Sequence, residues 1–202
     1  MNTHLNEPKL RKLLSAQHLL TPLVEKALQQ AKRSHEHHKR DSGASYLEEH
    51  IYPVTSSVLE HYTGEHKDKV VATALLHDVL EDDPHLDREQ FAKDFAPVIS
   101  WVEALTKPAW KDAQGTTMEE KKHVAFSAYL KQLNAAPQEV KLIKCLDLLN
   151  NITHMTLATP ARRASLLRKF DVAYLEFIKT SCPFLYERIK EKHTIAKTLK
   201  IE

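Results

Sequence analysis

The run Ala74-Leu75-Leu76-His77-Asp78-Val79-Leu80-Glu81-Asp82 sets two metal-ligand side chains side by side inside an apolar segment. Val70, Val71, Ala74, Leu75, Val79 and Leu80 recur at helical spacing, which predicts a buried helix over residues 67–81 carrying both His77 and Asp78. A buried aspartate is costly unless it is paired or bound to a cation. One divalent ion would satisfy both side chains, because neighbouring helical residues point only about 100° apart. Glu81 and Asp82 follow at i+4 from His77 and Asp78, on the same side of the helix. The spacing therefore directs four polar groups at one place.

A second acid lies in an equally apolar stretch, Val140-Lys141-Leu142-Ile143-Lys144-Cys145-Leu146-Asp147-Leu148-Leu149-Asn150-Asn151-Ile152. Leu142, Cys145, Leu149 and Ile152 form an apolar stripe, whereas Asp147, Asn151 and His154 form a polar one able to face the same ion. His50, upstream of Tyr52-Pro53-Val54, offers a further imidazole. The candidate ligands are then His50, His77, Asp78 and Asp147. Two imidazoles and two carboxylates suit Mn²⁺, Fe²⁺ or Zn²⁺ better than Mg²⁺, which prefers oxygen alone. Four protein ligands leave room for water and a substrate phosphate, and the ion would bring the pKa of that water toward neutrality. That is a design for hydrolysis.

These residues need rigid helices behind them. The 202 residues, 42% of them hydrophobic, suffice for one globular domain. Only 3 glycines and 7% aromatic residues argue for an all-α chain rather than a sandwich or barrel. Thr21-Pro22 and Thr159-Pro160 mark helix starts, with threonine as cap and proline in the first turn. Roughly ten helices are predicted, near 8–18, 22–38, 45–62, 67–81, 87–95, 97–106, 117–134, 137–155, 160–179 and 183–199. Residues 107–117, with Pro108 and Gly115, form the longest break and read as a mobile loop beside the site. A net charge of +2 gives no concentrated basic face for nucleic acid, but it accommodates an anionic small molecule. Cys145 and Cys182 make neither a disulfide framework nor a thiolate metal site. The N-terminus lacks an apolar signal segment, and no stretch approaches the roughly 20 apolar residues of a membrane span, so the chain reads as cytoplasmic.

His50, His77-Asp78 and Asp147 together resemble the H…HD…D signature of the HD-domain metal-dependent phosphohydrolases. Within them, the chain is most similar to the hydrolase domain of the RelA/SpoT enzymes and the small alarmone hydrolases. Arg40-Asp41-Ser42-Gly43 with Tyr46 and His50 resembles that family's R-x-S-G…Y…H-P, and residues 75–82 resemble its L-L-H-D-V-V-E-D. Leu105-Thr106-Lys107 is similar to V-T-K, and Leu142-Ile143-Lys144 with Asp147 and Asn151 to L-I-K-L-A-D-R-L-H-N. The resemblance covers about residues 24–155, with residues 160–199 expected to pack on that core. There are departures. One extra residue separates Tyr46 from His50, Pro53 falls three residues after that histidine, Asp41 replaces a usual lysine, and Leu148, Asn150 and Thr153 replace Arg, His and Arg.

The resemblance implies removal of the 3′-pyrophosphate of (p)ppGpp, usually with Mn²⁺, by a free-standing domain with no synthetase segment after it. It implies that Glu81 and Asp82 activate or orient the attacking water, that Arg40, Ser42, Lys107 and Lys144 contact base or phosphate, and that Asn151 holds the ribose or a ligand. A 5′-deoxynucleotidase or other nucleotide phosphatase would use the same metal ligands, and a regulatory module would bind metal or nucleotide without turnover. Other features read as structural. His35, His37 and His38, flanked by Glu36, Lys39 and Arg40, are read as a solvated face in preference to a second metal site. Trp101, Trp110, Tyr129, Leu130 and Leu133 are read as core, and Leu166, Leu167, Phe170, Ala173, Tyr174 and Phe177 as core or the seam of a homodimer.

Overall fold

The computed structural model describes residues 4–198. Helices α1 (Glu7–Ala16) and α2 (Pro22–His35) lead to a π-helical turn (Leu47–Ile51) that runs into α3 (Tyr52–His61). There follow α4 (Lys67–Leu76), α5 (Val79–Asp82), α6 (Arg88–Asp94), α7 (Ile99–Leu105), α8 (Met118–Ala135) and α9 (Gln138–Thr153). The chain ends with α10 (Pro160–Lys169), a second π-helical turn (Phe170–Tyr174), α11 (Leu175–Ser181) and α12 (Pro183–Thr198). No strand occurs among the described residues, and the fold is an all-α bundle. Residue 199 of the last predicted helix lies outside them. None of these helices is long and apolar enough to cross a membrane.

The predicted starts hold: Thr21 Oγ1 accepts from Val24 N and Thr159 Oγ1 from Arg162 N, each followed by proline. At the centre lies α4, where Val70 through Leu76 are all buried, wrapped by α2, α3, α7 and α9. A helix enclosed on every side carries apolar residues all round, which is why this segment shows so little amphipathic alternation. α11 and α12 pack on α9, and Phe170, Tyr174 and Phe177 of the C-terminal stripe are buried there.

Three expectations are corrected. The helix predicted over 67–81 is interrupted: α4 ends at Leu76, and Asp78 (φ −105°, ψ −4°) adopts the bridge conformation between helix and strand before α5 begins. At the interruption His77 and Asp78 point to one place, with His77 Nε2 3.1 Å from Asp78 Oδ2. The helix predicted over 160–179 contains the second π turn. Trp110 is at the surface rather than in the core, in a short 3₁₀ turn within the predicted loop, with Lys122 Nζ 5.6 Å from its ring centroid.

The first π turn explains one departure noted above. An i→i+5 turn accommodates one more residue than an α turn. The extra residue between Tyr46 and His50 falls in this turn, and both side chains still reach the same cluster.

Candidate active site

His50 and His77 meet from different helices. His50, in the π turn, hydrogen-bonds through Nδ1 to Asn150 Oδ1 at 2.7 Å, and His77 through Nδ1 to the Ala74 carbonyl at 2.8 Å. Both acceptors receive an Nδ1 proton, so each imidazole turns its Nε2 inward. The two Nε2 atoms lie 3.2 Å apart. Asp78 Oδ2 is 3.1 Å from each, and Asp147 Oδ1 is 3.4 Å from His50 Nε2. The four residues singled out by the sequence thus form one cluster, with both imidazoles and Asp147 buried.

Once Nε2 of His77 gives up its proton, two imidazole nitrogens and two carboxylate oxygens form a converging set of acceptors, which a divalent cation satisfies. Further contacts orient the set. Tyr46 Oη donates to Asp78 Oδ2 at 2.5 Å, Lys144 Nζ to Asp147 Oδ2 at 2.6 Å and Asn151 Nδ2 to Asp147 Oδ1 at 2.5 Å. The field is strongly negative. Burial opposes the charge on His77, yet the charge and hydrogen bond of Asp78, together with Asp147 and the Ala74 carbonyl, outweigh it and raise that imidazole to about 9. Burial likewise opposes ionisation of Asp78 and Asp147, but His77 holds the first well below the usual carboxylate range and Lys144 lowers the second.

The acidic pair diverges. Glu81 accepts from both the backbone N–H and Nζ of Lys107, each at 2.8 Å. Asp82 turns the other way, within reach of His35 and His38. Both line the same cleft of about 300 Å³ as the cluster. Burial and the carboxylates of Asp78 and Glu81 raise Asp82 to about 7.

A family model for the HD domain matches residues 27–177. The chain belongs to the HD domain family. It is 25% identical over 162 residues to a guanosine-3′,5′-bis(diphosphate) 3′-pyrophosphohydrolase of Haemophilus influenzae, covering 77% of this chain and 21% of that protein. It is 29% identical over 145 residues to the bifunctional (p)ppGpp synthase/hydrolase SpoT of Escherichia coli, covering 69% of this chain and 19% of the relative. The HD domain chain therefore spans only a fifth or so of the length of these relatives. A solved structure described as a metazoan ortholog of SpoT that hydrolyzes ppGpp and plays a role in starvation responses shares its fold. The TM-score is 0.68 over 89% of this chain and 98% of that one, at 23% identity.

The remaining candidates divide around the HD domain cleft. Arg40 is buried and donates to Asn151 Oδ1 at 3.1 Å, so an Arg40–Asn151–Asp147 chain reaches the cluster. Ser42 stays outside the cluster: its hydroxyl bonds Glu49 Oε2 at 2.6 Å, and it lines a neighbouring hollow with Arg40, His154 and Met155. His154, expected on the stripe facing the ion, lies in that hollow too. Lys144 and Lys107 are not side chains draped over the core with free amines; each is committed to a carboxylate at the site. Asp41 anchors the start of α10 by accepting from Thr159 N at 3.1 Å and Arg162 Nη1 at 3.3 Å.

Several contributors escaped the sequence reading. Asn150, noted there only as a departure, fixes His50 and also donates to the Glu49 carbonyl at 3.1 Å. Arg162, Ser165, Lys169 and Tyr174, from α10 and the turn after it, form the far wall of the cleft. Lys169 makes no ion pair or hydrogen bond among the described residues, and burial, Lys107 and Lys144 lower its pKa. A partly desolvated ammonium beside two others is a ready anion contact. Its only sequence signal was a basic residue in the last turn of an amphipathic helix, which dipole complementarity also explains.

Proposed function

We propose that this HD domain is a divalent-metal-dependent phosphohydrolase that removes the 3′-pyrophosphate from guanosine 3′,5′-bis(diphosphate), with Mn²⁺ as the working ion. The observation that carries this reading is the convergence of His50, His77, Asp78 and Asp147 beside Glu81 and below an unpaired Lys169. The names of the relatives from Haemophilus and Escherichia supply the substrate class.

His50, His77, Asp78 and Asp147 would hold the ion, which when bound polarises a phosphoryl oxygen and lowers the pKa of water. Asn150, the Ala74 carbonyl, Tyr46 and Lys144 keep those four side chains in position. Glu81, oriented by Lys107, and Asp82 accept the proton from the attacking water. Lys169 and Arg162 offset charge gathering on the phosphoryl oxygens. Arg40 and Asn151, linked to each other, steady the nucleoside, with Ser42 at the edge of the same hollow. Where the RelA/SpoT resemblance leads one to expect a lysine, Asp41 instead holds Arg162, a basic side chain that lines the cleft.

The test is product release by purified protein with Mn²⁺ from ppGpp, pppGpp, ordinary nucleoside triphosphates and deoxynucleoside monophosphates, with Asp78→Ala as control. Pyrophosphate from the guanosine 3′-diphosphates alone supports the reading. Phosphate from deoxynucleoside monophosphates points to a 5′-deoxynucleotidase, and binding without turnover to a regulatory module.

A further inference from the structure

The three histidines read from the sequence as a solvated face are divided by the fold. His37 is exposed, with its Nε2 3.4 Å from Glu36. His35, the last residue of α2, is completely buried. His38 folds back on it, so that the two Nδ1 atoms lie 3.1 Å apart. Asp82, at the end of α5, completes the group: one ligand atom from each of the three residues lies within 4.8 Å of the other two. A tetrahedral shell with bonds of about 2.1 Å places its donors about 3.4 Å apart, so the imidazole pair need only open slightly while Asp82 closes toward it.

We propose that His35, His38 and Asp82 form a second cation site, for a divalent transition-metal ion of the Zn²⁺ or Co²⁺ type, separate from the His50–His77–Asp78–Asp147 cluster. Two partnerless groups support it independently of that spacing. His35 Nε2 is buried with no hydrogen-bond partner and its Nδ1 meets only the Nδ1 of His38, so the protein gives this buried imidazole no partner except the other imidazole of the group. The Asp82 carboxylate has neither a hydrogen bond nor an ion pair among the described residues, although it sits beside the carboxylates of Asp78 and Glu81. The adjacent Asp83 shows what an ordinary structural acid looks like here: its Oδ2 accepts from Ser34 Oγ at 2.7 Å and its Oδ1 from His85 N at 3.0 Å.

Two nitrogens and one oxygen suit a borderline ion, whereas Mg²⁺ and Ca²⁺ prefer oxygen. With three protein ligands, a coordination position stays open for water. The Tyr46 ring separates the two sites, with its centroid 5.3 Å from that of His35 and 4.9 Å from that of His50. An ion there would tie the end of α2 to the end of α5. Through one oxygen it would fix Asp82 and leave the other oxygen to the cleft.

The site goes beyond the proposed hydrolysis and is tested without it, by counting Co²⁺ bound to metal-stripped protein by equilibrium dialysis and elemental analysis. Wild type is expected to take two ions per chain, and His38→Gln and His77→Ala one each. Circular dichroism confirms folding, and His38 is half-buried and lies outside the helices. A single ion in wild type that His38→Gln retains overturns the second site. A His38-dependent ion that survives in His77→Ala upholds it even if the first cluster, and with it the hydrolase reading, fails.

Discussion

Asn150 Oδ1 lies 2.7 Å from Nδ1 of His50, so an amide on α9 sets the tautomer of an imidazole on the π turn a hundred residues earlier. Asn150→Leu leaves the buried His50 N–H without its partner, at a cost of about 1–3 kcal/mol, and removes the bond to the half-buried Glu49 carbonyl. It also frees the ring to rotate. Mn²⁺ affinity is expected to fall about 10- to 100-fold, as measured by calorimetric titration. Unchanged affinity would show that the ring is held by packing instead.

Glu81 is bonded to Lys107 rather than to the two imidazoles. Glu81→Gln is therefore expected to lower kcat by about 10²- to 10⁴-fold while bound Mn²⁺ stays the same. Metal analysis alongside steady-state kinetics decides it; loss of the ion would make Glu81 a ligand or a support for one.

Lys169 has no carboxylate partner, so folding loses little without it. Lys169→Met is expected to keep or slightly raise the melting temperature and to raise KM about tenfold, the loss of roughly 1.4 kcal/mol of binding, with a smaller salt dependence. A fall in kcat at constant KM would instead place Lys169 against the transition state alone.

The field of Asp78 raises His77 to about 9 in the metal-free protein, from 6.5 in an unfolded chain. The folded state then binds more protons than the unfolded one between these values, so stability falls as pH rises. This contribution is fully present below pH 6.5 and is lost as pH passes about 9. Melting temperatures of metal-free protein across that window should decline, and His77→Gln should flatten the decline. Mn²⁺ competes with the same proton, so its affinity should rise over the same range. A flat wild-type profile would mean that His77 is neutral throughout.

The four side chains that cluster were legible because their signals are local. A histidine and an aspartate inside an apolar helical run, and a lone aspartate in another, are costly unless something compensates them, and that cost is visible in the order of residues. Helix starts were legible for the same reason, since a threonine cap and the following proline act within one turn. The interruption at His77–Asp78 was not, because apolar periodicity runs on through it: Val79 and Leu80 are buried as they would be in a continuous helix.

The sequence by itself determined an all-α chain, the ligand types and the segments that carry them. Only the tertiary structure decided which groups meet: Asn150 with His50, Lys144 with Asp147, Lys169 above the cleft, and Asp82 with His35 and His38 rather than with the first cluster. Helical periodicity says which face of each helix is buried. It says nothing about which distant polar group will lie opposite, because that depends on how α2, α5, α9 and α10 pack, and a polar side chain is satisfied by whatever partner the packing brings within about 3 Å.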